Sequence, residues 1–135
     1  MRTAKYVIDT HALIWYLEGN TRLGEQARQI LANTASQLLL PAIVLAEAMW
    51  IVEKGRTSIP SVTALLAAVK ADPRIDIVEL DATVVTKTKE LITINEMHDR
   101  QIVATVLTLQ DKAEVVTLIS WDQNITESGL VEVIW

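Results

Sequence analysis

The chain has 135 residues, half of them hydrophobic and 21% charged, with 12 Lys and Arg against 17 Asp and Glu for a formal charge of −5. Such a composition excludes a disordered chain, and such a length carries one core that buries about two thirds of the unfolded surface. The acidic balance excludes a broad basic face for nucleic acid, and zero Cys excludes disulfides and thiolate metal sites, leaving oxygen and nitrogen ligands.

No apolar run approaches the roughly 20 residues that span a bilayer, and residues 1–9 lack a signal-peptide core. A single domain over 1–135, located in the cytoplasm with no membrane association, is expected. Tyr6-Val7-Ile8 is a short apolar run that reads as a buried strand and stops at Asp9. Residues 10–18 then carry helical spacing, and Gly19-Asn20 breaks it. Leu23, Ala27, Ile30 and Leu31 recur at i, i+4, i+7 and i+8, which predicts an amphipathic helix ending near Asn33.

Leu38-Leu39-Leu40 predicts a second buried strand. Pro41 suits the first position of a helix reaching about Lys54, with Gly55 ending it. A helix from Pro60-Ser61 to about Ala71 closes at the Asp72-Pro73 turn, and residues 75–80 alternate apolar and acidic as a half-buried or edge strand would. Asp81 caps a helix expected to run to about Asn95, and Asp99 starts another through Leu109. Residues 115–119 are a β-branched run that predicts a buried strand stopping at Ser120-Trp121-Asp122, and residues 130–135 a short last strand. Five strands alternating with about six helices predict a mostly parallel sheet covered on both faces.

Four acids carry the chemical argument. Glu47 is the sole charge in the twelve-residue stretch PAIVLAEAMWIV, with Ile43, Val44, Trp50 and Ile51 at its helical neighbour positions, so its face should be buried or nearly so. An ionised carboxylate there costs several kcal/mol unless compensated; the plain alternatives are a narrow solvent strip or a pair with Lys54. Asp9 sits at the carboxyl end of the first strand, the edge where chemistry collects in open α/β sheets, and is equally a favoured N-cap. Asp99, in a first helical turn, is stabilised by the helix dipole whatever its role, and Asp122 suits a turn.

Together the four are more telling, because three stand at strand ends or helix starts that a parallel sheet brings to one edge. Each carboxylate pair at about 4.5 Å and an effective dielectric near 20 costs on the order of 3–4 kcal/mol. A hard divalent cation, Mg²⁺ or Mn²⁺, is the natural compensation for an all-oxygen set, and metal-assisted attack of water on a phosphodiester is the chemistry it serves. His11 and His98 match no metal-ligand spacing, and the four Trp read as core more readily than as base-stacking platforms. Four Gly form neither a P-loop nor a dinucleotide motif, and no nucleophile elbow is present.

With these residues in view, the sequence resembles the PIN-domain ribonucleases, and within them the VapC-type toxins of bacterial toxin–antitoxin pairs. V-I-D-T-H-A-L-I-W, L-P-A-I-V-L-A-E, H-D-R-Q-I-V-A-T and I-S-W-D-Q-N-I look like that family's four acidic blocks in order, over nearly the whole chain. The resemblance implies a three-layer α/β/α fold and a catalytic quartet Asp9, Glu47, Asp99 and Asp122 holding one or two Mg²⁺ or Mn²⁺. Asp9 and Asp99 would be the surest ligands, Asp122 a direct or water-mediated one, and Glu47 the group that positions or deprotonates the attacking water. Ser120 and Thr10 would support the carboxylates by hydrogen bonds. A homodimer and an antitoxin partner whose tail covers the pocket are also implied. Two departures stand out: Glu96-Met97-His98-Asp99-Arg100 replaces the common D-P-F-D-R turn, and S-W-D replaces T-x-D.

The leading expectation is therefore a metal-dependent endoribonuclease acting on RNA as a toxin. Arg100, Lys54 and Arg56 are candidate phosphate contacts. The rival is a non-catalytic PIN-like binding or dimerisation module, which need bind no metal. A phosphoacceptor domain is a weaker rival, since it lacks paired acids on the first strand and a late-strand Lys.

Overall fold

The apolar runs pair into one sheet because each is too short and too β-branched to bury its surface alone. In the computed structural model, which describes residues 4–135, the strands are β1 (Lys5–Ile8), β2 (Gln37–Pro41), β3 (Ile75–Val78), β4 (Val116–Ile119) and β5 (Val133–Ile134). Seven α-helices connect them: α1 (Thr10–Glu18), α2 (Glu25–Ala32), α3 (Ala42–Glu53), α4 (Val62–Ala71), α5 (Ala82–Lys87), α6 (Met97–Asp111) and α7 (Gln123–Ser128). The sheet order is β3-β2-β1-β4-β5, and every pairing is parallel. The expected three-layer, PIN-like α/β/α sandwich is found, with the sheet wholly rather than mostly parallel.

That order has a topological consequence. From β1 the chain winds outward through β2 and β3, then returns to the other side of β1 for β4 and β5. The switch in direction falls between β1 and β4, and ligands of open α/β sheets bind in the crevice at the carboxyl ends there. Ile8 is in register with Ile119, so Asp9 and Ser120 follow side by side.

Val7, Ile8, Leu40, Leu118 and Ile119 are all but excluded from water, and α1 packs on α3, which also meets α4 and α6. Gly19 stops α1 in the left-handed conformation, φ 67°, with its N–H returned to the carbonyls of Trp15 and Tyr16.

Several boundaries differ from the expectation. Pro41 closes β2, paired with Val78, and α3 starts one residue later. The helix expected to run from Asp81 to Asn95 breaks at Lys87 into a 3₁₀ turn, Thr88–Glu90. There Thr88 Oγ1 bonds the Val85 carbonyl at 2.6 Å, and beyond the turn Leu91, at 3% exposed, enters the core while Ile92, at 73%, faces water. Helix α6 starts at Met97, two residues before Asp99, because Glu96 is its cap. The short α7 was not expected. Its cap is Asp122, and a six-residue polar helix carries almost no apolar periodicity.

Candidate functional site

Asp9 leaves the end of β1 with its backbone N–H bonded to the Ile119 carbonyl at 3.1 Å, which holds it at the β1–β4 crevice. Its side chain does two things at once. Oδ1 accepts from the Thr10 N–H at 2.6 Å and caps α1, while Oδ2 accepts from the Ser120 hydroxyl, also at 2.6 Å. Asp9 is only 6% exposed. Burial pushes its carboxyl above the ordinary range; the Ser120 and Thr10 hydrogen bonds and the charge of His11 oppose the rise, and Glu47 adds to it.

Ser120 is itself buried, and its oxygen accepts the Asp122 N–H at 3.0 Å. One hydroxyl thereby orients two acids. Asp122 in turn caps α7 through Oδ1 to the Ile125 N–H at 3.1 Å. Thr10 supports Asp9 through its backbone; its buried hydroxyl has no hydrogen-bond partner among the described residues.

Asp99 comes from the first turn of α6. Its carboxyl is pushed up to about 7 by burial first, then by the charges of Asp122, Asp9 and Glu96 and a hydrogen bond with Asp122. This is the signature of carboxylates crowded by like charge. Beside it opens a cleft of about 390 Å³ between the 93–96 turn and α7, with Asn95, Asn124, Glu127 and Ser128 among its lining. A second cleft of about 410 Å³, along α5, is lined by none of the four acids.

Glu47 is less buried than its apolar neighbours suggested. Its side chain is 30% exposed, because Trp50 on the same side of α3 faces water at 48%. The partner weighed from sequence, Lys54, instead lies over the Trp50 ring at 5.6 Å, with Arg56 at 5.3 Å. Glu47 pairs with His98, Oε2 to Nδ1 at 3.6 Å, and His98 Nδ1 also meets Glu96 Oε1 at 3.0 Å. Glu96 accepts from the Asp99 N–H at 2.9 Å. Burial works against the Glu96 charge, but the Asp99 and His98 hydrogen bonds hold its carboxyl below the usual range.

His98 therefore links α3 to the start of α6, a role its spacing did not suggest; its only sequence signal is adjacency to Asp99. Arg100 turns its guanidinium toward the Ile94 carbonyl and so braces the turn before α6.

The donor set suits a hard cation: carboxylate oxygens, a buried Ser hydroxyl and an unpaired Thr hydroxyl, with no sulfur. Among the described residues no three or more His, Asp and Glu side chains stand as a ready-made ligand group. The pairing of β1 with β4 and the docking of α6 bring Asp9, Asp99 and Asp122 close enough to repel one another, and Glu47 adds its charge at Asp9.

The family model described as PIN domain matches residues 6–127. Comparison with curated proteins finds no match. Among solved structures, the chain is similar to VapBC2 from Rickettsia felis bound to a DNA fragment from its promoter, at 16% identity, TM-score 0.70, covering 96% of this chain and 98% of that one. It is also similar to a toxin–antitoxin complex from Klebsiella pneumoniae, at 18% identity, TM-score 0.68 and 97% coverage of both chains. A third is VapC20 from Mycobacterium tuberculosis, a sarcin–ricin loop cleaving toxin, at 17% identity, TM-score 0.67, covering 96% and 98%. Among the described residues no helix is long and apolar enough to cross a membrane.

Proposed function

The chain belongs to the PIN-domain family, matched over residues 6–127, and from that membership we propose that it is a metal-dependent endoribonuclease, the toxin of a toxin–antitoxin pair. The observation that carries the reading is the raised Asp99 carboxyl, at about 7 through burial and the charges of Asp122 and Asp9. Perturbed acids at the switch point of an open sheet are the arrangement expected of a catalytic site. That one structural neighbour cleaves the sarcin–ricin loop supports RNA as the substrate class.

Asp9, Asp99 and Asp122 would hold one or two Mg²⁺ or Mn²⁺, which when bound supplies charge neutralisation for the phosphate and acidifies water. Ser120 holds the Asp9 carboxylate and the Asp122 backbone beside each other. Glu47, partly exposed and near Asp9, takes a proton from the attacking water at a carboxylate oxygen, while His98 holds that carboxylate on its α6 side. Thr10 offers its unpaired hydroxyl to an ordered water. Lys54 and Arg56 are assigned to phosphates; Arg100, engaged with the Ile94 carbonyl, is assigned chiefly to shaping the turn that presents Asp99. An antitoxin segment covering the acidic pocket, a homodimer and a cytoplasmic location complete the proposal.

The test is cleavage of a structured RNA by purified protein with Mg²⁺, with Mn²⁺ and with chelator, mapped to cut sites, alongside Asp9→Asn. Metal-dependent cutting that disappears in the variant is expected. Wild-type protein that neither binds Mn²⁺ by calorimetry nor cuts RNA would instead be a PIN-like binding module.

A further inference from the structure

The four Trp do not share one fate. Trp15 is buried and Trp135 packs against it with ring centroids 5.7 Å apart, whereas Trp121, between Ser120 and Asp122, is 52% exposed. Trp121 is not loose: its ring meets Trp15 edge-on at 5.4 Å and His11 at 6.1 Å, and His11 lies 5.2 Å from Trp15. An exposed His, two residues after Asp9, and an exposed indole, one residue before Asp122, thus form a braced aromatic rim on the acidic crevice.

The charge distribution says what such a rim is for. Arg28 pairs with Glu25, Arg74 with Asp72, Lys87 with Glu90 and Asp111, and Lys5 with Glu114. In a chain of net charge −5, the remaining cations are scattered and form no broad basic face for phosphates, so bases must supply part of the affinity for RNA. Aromatic side chains stack any unpaired base, while paired bases in a duplex offer no free face. Arg22, whose guanidinium lies 5.8 Å from the Trp15 ring, places a cation next to the rim.

Resting on the nuclease reading, we propose that Trp121, braced by Trp15 and His11, is a stacking platform for an unpaired base of single-stranded RNA beside the scissile phosphate. It acts in substrate binding and not in the chemical step.

The experiment compares wild type, Trp121→Ala and Trp121→Phe. With chelator present, tryptophan emission is titrated with single-stranded hexa-adenylate and with the same hexamer built on abasic riboses. The base-bearing hexamer is expected to quench wild type and the abasic one not, and the quench should vanish in Trp121→Phe. In metal-dependent cleavage, Trp121→Ala should raise KM roughly tenfold to a hundredfold with kcat within about twofold, and Trp121→Phe should restore KM. Equal quenching by the two hexamers, or an unchanged KM in Trp121→Ala, overturns the proposal while leaving the nuclease reading intact. So does a Trp121→Ala change confined to oligomeric mass, which would make the rim an interface between copies. Should wild type cut no RNA, the nuclease reading fails, and the hexamer quench alone upholds or overturns the stacking platform.

Discussion

Ser120 donates to Asp9 across 111 positions of chain, Oγ to Oδ2 at 2.6 Å, and the same oxygen receives the Asp122 N–H. The bond exists because β1 and β4 run side by side with Ile8 opposite Ile119. It keys two acids from opposite ends of the sequence to one hydroxyl.

Replacing Ser120 with Ala should therefore cost about 1–2 kcal/mol, since a buried carboxylate loses a donor. It should also lower RNA cleavage at least tenfold. Ser120→Thr should retain both, because the hydroxyl is kept. Urea denaturation and initial cleavage rates measure the two; full activity in Ser120→Ala would show that orientation of Asp9 and Asp122 does not limit the reaction.

Asp99 makes stability depend on pH in a definite direction. Its folded carboxyl sits at about 7 against an ordinary 3.8, so between those values the folded state holds a proton that the unfolded state has lost. Stability from this group is complete below about 4 and lost as pH rises through about 7. A shift of about three units would be worth about 4 kcal/mol, and half-exposure reduces that to about 1–2 kcal/mol. In chelator, Asp99→Asn should be more stable than wild type at pH 8 and no more stable at pH 4. Mg²⁺ affinity of wild type should rise with pH up to about 7, because the cation competes with this proton. Denaturation curves and calorimetric titrations at pH 5, 6, 7 and 8 decide both.

Glu47 is exposed enough for its replacement to leave the fold intact. Glu47→Gln should keep the melting temperature within about 2 °C, as surface changes do, and lower the cleavage rate at least a hundredfold, as loss of a general base does. His98→Ala should cost less than tenfold alone. In the double variant the His98 change should add nothing, since His98 acts through Glu47. A His98 effect that persists undiminished in Glu47→Gln would place its role elsewhere.

Gly24 is held to glycine by Trp135. A Cβ at position 24 would lie 2.3 Å from the Trp135 carbonyl carbon and 2.6 Å from its ring, closer than any side chain approaches. Gly24→Ala should destabilise by about 1–3 kcal/mol and displace the last residue from Trp15. Removing Trp135 in the Gly24→Ala background should abolish the additional cost. Thermal melts of the two single variants and the double resolve it.

Apolar spacing was sufficient to place β1, β2, β4 and five of the helices, because each is written in a local repeat whose period matches its geometry. Asp9 at a strand end and Glu47 alone in an apolar helix were visible for the same reason. Other features lie beyond that reach. Asp81 announced a helix, but where it stopped depended on Leu91 and Ile94 being drawn into the core while Ile92 turned to water. Trp15 and Trp121 both read as core by residue type, yet one is buried and the other half-exposed. His98 between Glu47 and Glu96 depends on α6 docking against α3. What the chain determined by itself was its elements and the chemical types at their ends; which of those ends face one another, and which aromatic is left in water, was decided by the β3-β2-β1-β4-β5 order. The reason is physical: a periodic pattern reports contacts within a few residues, whereas a carboxylate's burial and charge environment are set by neighbours about a hundred positions away.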